Sequence, residues 1–210
     1  MKYELVVFDM DGTLTLDALD FDSLRRALGL QVRHPILEWI ETLELEKRQQ
    51  AWDILHQHEA TAAAKCQLRP GADAVIERLR NRGVKTALLS RNSQKSVETI
   101  LRRYPMLFFD RVASRDQMPI KPAAESLLKI CRSLRISTTN TLMVGDYIFD
   151  LQVAANAGTD SALLLEPEAP LPDFAHQATH LVRKLEDVEH LLDAPGYTGN
   201  TKTTAEATRQ

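Results

Sequence analysis

Short, continuous apolar runs alternate along the chain with longer segments in which apolar residues recur every three or four positions. The runs predict five buried strands, over residues 5–8, 85–89, 108–113, 141–144 and 161–165. Strands that are apolar at every position are typical of a parallel sheet covered on both faces. Because strands and helical segments alternate, the pattern predicts an α/β fold, a parallel sheet with helices on both faces.

The segments between these strands carry signals for where helices begin and end. A helical pattern after residue 71 stops at Gly83, and Ser93 is the expected N-cap of the next helix. A third helix is predicted over 122–134, with Pro122 in its first turn, and a fourth is ended by Gly158. Each of these helices would connect one strand to the next.

One stretch breaks the alternation, because residues 15–68 contain helical material but no strand-like run. The pattern predicts that the chain leaves the sheet after the first strand, forms a small helical insert and returns near residue 69. Ligands of α/β folds bind at the carboxyl ends of strands, so the insert is a candidate lid. The predicted organisation is a core of residues 1–14 and 69–192, an insert of 15–68, and a tail of 193–210 that lacks an apolar period and is expected to be disordered.

Composition narrows the class of function. The 210 residues are 44% hydrophobic and 26% charged, with a net charge of -3, which is typical of a soluble globular protein without an electrostatic surface for nucleic acid or membrane. The apolar runs are far shorter than the roughly 20 residues that a bilayer span needs, and the first residues resemble a strand rather than a signal peptide. Two cysteines give no disulfide framework, so a cytoplasmic location is expected. The expected partner is a small molecule, and the choice between monomer and homodimer stays open.

Two pairs of carboxylates stand at the ends of predicted strands. Asp9 and Asp11 follow the first strand, and Asp146 and Asp150 follow the fourth. The carboxyl ends of parallel strands open on the same rim of a sheet, so these side chains could converge on one divalent cation such as Mg²⁺, which prefers oxygen ligands. Either pair alone could be a solvated turn or the start of a helix. Their shared position at strand ends favours a metal site.

Groups suited to a phosphate stand at the same predicted rim. Gly12 and Thr13 could offer backbone N–H groups to an anion. Ser90 and Arg91 follow the second strand at the start of a helix, and Lys121 follows the third strand. Taken separately, Ser90 is a common turn residue and Lys121 a common solvated one. Their recurrence at successive strand ends favours a phosphate site.

In this order, the segments resemble the four motifs of the haloacid dehalogenase-like (HAD) superfamily. Residues 9–14, Asp-Met-Asp-Gly-Thr-Leu, are similar to its DxDGTL motif, and residues 145–150 are similar to its GDxxxD motif. Ser90 and Lys121 hold the positions of its hydroxyl and lysine motifs. The resemblance spans about residues 4–166 and is nearest to the phosphoglycolate phosphatase-like branch. It implies a Rossmann-like core, with the insert similar to a helical C1-type cap.

The resemblance also implies a role for each residue. Asp9 would attack phosphorus as the nucleophile, and Asp11 would protonate the leaving oxygen and later activate water. Lys121 would neutralise charge on Asp9 and the phosphate. The implied Mg²⁺ ligands are Asp9, the backbone carbonyl of Asp11, Asp146 and Asp150, and the implied phosphate ligands are Ser90, Arg91, Gly12, Thr13 and Lys121.

Asp11 favours phosphate esters over haloacids, because a poor alkoxide leaving group needs an acid and a halide does not. The expected function is Mg²⁺-dependent hydrolysis of a small phosphorylated metabolite through an aspartyl-phosphate. A sugar phosphomutase shares the first half-reaction and stays an alternative, as does a non-catalytic binding or regulatory protein. Substrate choice would lie largely in the insert, where an arginine such as Arg25, Arg26 or Arg33 could reach a substrate carboxylate. An arginine on a helix is, however, more often solvated.

Overall fold

The protein is described here by a computed structural model that covers residues 1–31 and 34–193. Six strands form one sheet, with the bounds β1 (Leu5–Phe8), β2 (Lys85–Leu89), β3 (Arg111–Ala113), β4 (Thr141–Gly145), β5 (Asp160–Leu164) and β6 (His180–Val182). Every pair of neighbouring strands is parallel, and the order across the sheet is β3-β2-β1-β4-β5-β6. The predicted parallel α/β sheet is therefore confirmed.

Eight helices accompany the sheet in the described residues, with the bounds α1 (Phe21–Ala27), α2 (Ile36–Glu41), α3 (Leu45–Lys65), α4 (Ala72–Asn81), α5 (Gln94–Arg103), α6 (Ala124–Leu134), α7 (Ile148–Ala157) and α8 (Asp187–Leu191). Both faces of the sheet are covered, which explains why β1 is apolar at all four of its positions. Val6 and Phe8 point into the core shared with α4 and α5, while Leu5 and Val7 point into the core shared with α6 and α7.

Several predicted boundaries are met, and others shift for identifiable reasons. β1 and β2 begin and end as predicted, Ser93 caps α5, and Gly158 ends α7 with a left-handed backbone of φ 71°. β3 begins three residues later than predicted, because the half-exposed Phe108 precedes the strand and gives its carbonyl to the Thr86 hydroxyl. The short β6, whose Leu181 is exposed, was not predicted.

Pro122 lies before α6 and not in its first turn, so that prediction is wrong. The Ala123 N–H donates to the Ile120 carbonyl at 2.9 Å, which closes a turn over residues 120–123. Ala123 then occupies the N-cap and the helix begins at Ala124. The turn holds Lys121 at the sheet rim.

The stretch between β1 and α4 leaves the sheet and returns beside its own starting point. The Leu16 N–H donates to the Gln67 carbonyl, and the Arg69 N–H donates to the Leu14 carbonyl, each at 2.9 Å. Helices α1, α2 and the first half of α3 surround an apolar cluster of their own, formed by Leu24, Ile36, Leu37, Ile40, Ala51 and Leu55. The last residues of α3 join the main core instead, through Ala63 and the adjacent Cys66. We call residues 15–68 the cap.

At the end of the described chain, Asp193 accepts two hydrogen bonds of 2.7 Å from the Arg82 guanidinium. The rest of the predicted disordered tail, 194–210, lies outside the described residues. No helix within the described part of the chain has the length and apolar character that a membrane span requires.

Candidate active site

The ends of β1, β2 and β4 bring the predicted site residues to one rim. Phe8 is level with Leu88 of β2 and with Val144 of β4, so the residues that follow these strands are neighbours. The Asp9 N–H continues the ladder by donating to the Val144 carbonyl at 2.9 Å. The strand order changes direction between β1 and β4, which is where open α/β sheets form a ligand crevice.

A cavity of about 670 Å³ opens at this rim, between the sheet and the cap. The core side of its lining includes the predicted residues Asp9, Asp11, Ser90, Arg91, Lys121, Asp146 and Asp150. Cap residues of α1 and α2, among them Arg25 and Leu37, form the opposite wall. These seven predicted residues therefore line one cavity.

The loop after β1 is folded tightly around a glycine. Gly12 has φ 71°, and a Cβ at this position would collide with the Asp146 carboxylate. The Arg69 guanidinium fixes the loop from outside by donating to the Gly12 carbonyl at 2.6 Å and the Thr13 carbonyl at 3.1 Å. Thr13 is buried, and its hydroxyl donates to Asp146 Oδ1 at 2.7 Å. The structure thus gives Thr13 a direct part in orienting Asp146.

Lys121 is a buried cation between two carboxylates. Only 1% of its side chain is exposed, and its Nζ lies 2.7 Å from Asp9 Oδ1 and 2.6 Å from Asp150 Oδ1. Burial alone would lower the pKa of Lys121, but the charges of Asp150 and Asp9 outweigh it and raise that pKa. Lys121 therefore stays positively charged against the side chain predicted to be the nucleophile.

Three carboxylates converge beside Lys121. One oxygen each from Asp9, Asp146 and Asp150 can be chosen such that all three lie within 4.8 Å of one another. Burial raises the pKa of Asp146 well above its usual range, and repulsion from Asp9 and Asp150 adds to the rise. A divalent cation with oxygen ligands relieves this repulsion, so the donor set fits Mg²⁺ in chemistry and in placement.

Asp150 owes its position to the start of α7. It is 1% exposed, and its Oδ2 accepts a 3.2 Å hydrogen bond from the Tyr147 N–H in the first turn of the helix. Gly145 lies beneath it, and a Cβ on Gly145 would collide with the Asp150 carboxyl group. The close packing of the Asp150 carboxyl group against Gly145 therefore requires a glycine at position 145.

Asp11 stands apart from the three converging carboxylates. Burial raises the pKa of Asp11 to about 7, with a further contribution from the charge of Asp9, while a hydrogen bond from Asn92 opposes the rise. The Asn92 Nδ2 atom lies 2.6 Å from Asp11 Oδ2. A carboxyl group with a pKa near neutrality can both give and take a proton, which is the property of a general acid and base.

Ser90 and Arg91 follow β2 but are placed differently. Ser90 is buried, and its Oγ accepts a 3.1 Å hydrogen bond from the Asn92 N–H. The Arg91 Nη2 donates to both oxygens of Glu38 in α2 at 2.8 Å, and its Nη1 donates to the Lys121 carbonyl. The structure therefore gives Arg91 a contact between core and cap, where the sequence predicted a phosphate ligand.

A buried ion pair supports the loop that carries Ser90. Glu59 of α3 and Arg115, each 4% exposed, are joined by two hydrogen bonds, and Arg115 Nη1 also donates to the Arg91 carbonyl at 3.0 Å. The Arg115 N–H donates to the Asn92 carbonyl at 3.2 Å. Sequence reasoning missed Glu59, Arg115 and Asn92. The position of Asn92 in the same loop as Ser90 was the one available signal.

The chain is similar to known proteins in sequence and in fold. The family model described as haloacid dehalogenase-like hydrolase matches residues 3–158. A haloacid dehalogenase-like hydrolase domain-containing protein of Arabidopsis thaliana is 32% identical over 204 residues, which cover 90% of this chain and 83% of the relative. A phosphoglycolate phosphatase of Aquifex aeolicus is 24% identical over 211 residues, covering 90% of this chain and 99% of that protein. The solved structure of a haloacid dehalogenase-like family hydrolase from Streptococcus pneumoniae superposes with a TM-score of 0.71 at 16% identity, covering 90% of this chain and 98% of that one.

Proposed function

The chain belongs to the haloacid dehalogenase-like hydrolases, and we propose that it is a Mg²⁺-dependent phosphatase that hydrolyses a small phosphorylated metabolite through an aspartyl-phosphate. The observation that carries the proposal is the arrangement around Asp9. A buried cation, Lys121, contacts it at 2.7 Å, and Asp11, with a pKa of about 7, lines the same cavity. A nucleophile, a fixed positive charge and a proton donor are the parts that phosphate ester cleavage through a covalent intermediate needs.

We infer that Asp9 attacks phosphorus through Oδ2. Its Oδ1 accepts hydrogen bonds of 2.7 Å from both Lys121 Nζ and the Met10 N–H, which hold the carboxylate in one orientation. The bond from Oδ2 to phosphorus forms as the bond from phosphorus to the ester oxygen breaks. Water then attacks the aspartyl-phosphate and releases inorganic phosphate and free Asp9.

The main obstacle to this attack is repulsion between an anionic nucleophile and an anionic ester. Lys121 offsets part of it, and we propose that the Ser90 hydroxyl donates to a phosphoryl oxygen in the same site. Mg²⁺ held by Asp9, Asp146, Asp150 and the Asp11 backbone carbonyl would supply the remaining positive charge and orient the phosphoryl group. The three side-chain ligands among these are the ones that converge.

Asp11 supplies the proton that an alkoxide leaving group needs. A pKa of about 7 leaves a substantial protonated fraction at neutral pH, so Asp11 can protonate the ester oxygen as that bond breaks. The resulting carboxylate can then take a proton from the water that attacks the aspartyl-phosphate. The same side chain thus serves both half-reactions.

We propose that the substrate carries a second anionic group. Arg25 of α1 lines the cavity, and its Nε is the single buried polar side-chain atom in the described residues that has no hydrogen-bond partner. The Arg25 Nη1 atom lies 3.6 Å from Asp22 Oδ1, but the Asp22 side chain is 69% exposed, so solvent screens that pair. A carboxylate would suit the guanidinium in geometry and charge. The phosphoglycolate phosphatase of Aquifex aeolicus among the relatives supports a small carboxylated ester.

The proposal also covers the cellular location and the partners of the enzyme. We expect it to act on a free metabolite in the cytoplasm, as a monomer or homodimer, without nucleic acid or membrane partners. Its two cysteines, Cys66 and Cys131, are buried and free, which suits a reducing compartment.

The experiment that tests the proposal is a phosphate-release assay over a panel of phosphorylated metabolites that includes phosphoglycolate and a hexose 1-phosphate. We expect turnover in Mg²⁺ that stops on addition of EDTA, returns with excess Mg²⁺, and is lost in Asp9→Asn. Isomerised sugar phosphate without free phosphate would identify a phosphomutase instead. Absence of turnover across the panel would leave a binding role.

A further inference from the structure

We propose that Asn92 is the positioning residue for proton transfer by Asp11, because it holds the Asp11 carboxyl group in one orientation. The inference rests on the proposed function, in which Asp11 protonates the leaving group. The two residues are 81 positions apart in the chain, yet Asn92 Nδ2 lies 2.6 Å from Asp11 Oδ2. Both side chains line the cavity in which the ester would bind.

The backbone of Asn92 is held on both sides, so its carboxamide has a fixed origin. Its N–H donates to Ser90 Oγ at 3.1 Å, and its carbonyl accepts from the Arg115 N–H at 3.2 Å. Arg115 is itself fixed by the buried ion pair with Glu59 in α3. Functional groups supported in this way by satisfied hydrogen bonds keep their geometry more closely than groups on free loops.

The hydrogen bond from Asn92 distinguishes the two oxygens of Asp11. Oδ2 accepts the carboxamide N–H, whereas Oδ1 faces the Thr15 hydroxyl at 3.5 Å, and that hydroxyl also donates to the Met10 carbonyl at 3.2 Å. Each oxygen therefore has its own hydrogen-bond partner, and the carboxyl group is held in one orientation. The χ2 torsion of an aspartate is soft, so without Asn92 the carboxyl group would rotate and present either oxygen.

The competing interpretation is that Asn92 binds the phosphoryl group directly. The two roles predict different dependence on the leaving group. An alkyl phosphate such as phosphoglycolate needs a proton on its leaving oxygen, whereas p-nitrophenolate leaves readily without one. A residue that acts through Asp11 should matter for the first ester and much less for the second, whereas a phosphate ligand should matter equally for both.

The test measures kcat/KM, which reports phosphoryl transfer to Asp9, for the alkyl ester and for p-nitrophenyl phosphate. In Asn92→Ala we expect the value for the alkyl ester to fall about 10- to 100-fold, the usual worth of a hydrogen bond to an ionisable group. For p-nitrophenyl phosphate we expect a fall below about threefold. Asn92→Leu keeps the shape of the side chain without its donor and should behave alike. Asn81→Ala, on an exposed residue of α4, is the matched control and should leave both values unchanged.

A double-mutant cycle separates action through Asp11 from any other role. If Asn92 acts through Asp11, then adding Asn92→Ala to Asp11→Ala should lower kcat/KM for the alkyl ester by less than about twofold further. Equal losses on both esters, or independent losses in the cycle, would overturn the inference while leaving the proposed function intact. A wild-type protein that hydrolyses neither p-nitrophenyl phosphate nor any ester of the metabolite panel would overturn the proposed function itself. Thermal unfolding of each variant shows whether it has folded.

Discussion

Replacing Lys121 with methionine tests the charge balance of the site most directly. The substitution keeps the length of the side chain and removes its cation, which leaves the carboxylates of Asp9 and Asp150 without their shared partner. Lys121 and Asp150 are each 1% exposed, so water cannot replace the lost charge. Breaking a buried ion pair from one side typically costs about 3–5 kcal/mol, and we expect a loss of this size in the free energy of unfolding at pH 8.

The loss of unfolding free energy in Lys121→Met should grow as the pH rises. Burial raises the pKa of Asp150 in the folded protein, with Asp9 contributing and Lys121 opposing. A carboxyl group with a raised pKa binds its proton more tightly in the folded state than in the unfolded one, so it destabilises the fold as pH rises above about 4, the ordinary value for aspartate. Without Lys121, no cation lowers the pKa of Asp150, so this pKa rises further. The variant should therefore be closest to wild type near pH 5 and furthest from it at pH 8.

Urea unfolding at pH 5 and pH 8, with EDTA and then with Mg²⁺, measures both effects. We expect Mg²⁺ to restore part of the stability of Lys121→Met at pH 8, because it binds the carboxylates that the lysine no longer balances. Lys129→Met, on an exposed residue of α6, controls for the loss of a lysine as such. A deficit for Lys121→Met below about 1 kcal/mol at pH 8, or one that does not change with pH, would refute the account of a buried ion pair.

Three further predictions concern the metal, the cap and the substrate. Asp146→Asn should raise the Mg²⁺ concentration for half-maximal activity about tenfold or more, and an unchanged Mg²⁺ titration would remove Asp146 from the ligand set. The same variant should stabilise the metal-free protein at pH 8, because a neutral side chain relieves the repulsion that raises the pKa of Asp146. Glu38→Ala and Arg91→Ala should each lower kcat/KM, and their combination should do little more than either alone, as measured by a double-mutant cycle. Additive losses would show that the 2.8 Å contact between these side chains does not couple core and cap. Arg25→Ala should raise KM for phosphoglycolate about tenfold and leave p-nitrophenyl phosphate nearly unaffected, and equal effects on both esters would exclude a carboxylate contact.

The sheet and its acidic rim could be predicted because the relevant signals are local. A strand such as β1 is apolar on both faces, and the residues that follow it directly are the ones at the rim. The short β6 gave no such signal, since it has three residues and the first of them, His180, is polar. Pro122 was misplaced because the turn that precedes α6 is closed by a backbone hydrogen bond, which leaves no mark in the side-chain pattern.

Residues that depend on distant partners could not be assigned from the sequence. The contact of Arg91 with Glu38, 53 positions earlier in the cap, could not be foreseen, and the expected contact of Arg91 with a phosphate stays a prediction. The Glu59–Arg115 pair, 56 positions apart, is likewise invisible to any local pattern. Charged side chains on helices and loops are usually solvated, so only the tertiary fold shows which of them are buried and paired.

Helix α3 divides the cap into parts that differ in how freely they can be exchanged. Its first half packs within the cap, but Glu59 fixes the loop of Ser90 and Asn92, and its last residues belong to the core. Among the described residues of 16–44, the contact of Glu38 with Arg91 is the one hydrogen-bonded attachment to the loop of Ser90 and Asn92. We expect a chimera that takes residues 16–44 from a relative and keeps α3 to alter substrate preference without disrupting the site around Asp9. In this family member, the exchangeable module for enzyme engineering is therefore shorter than the cap.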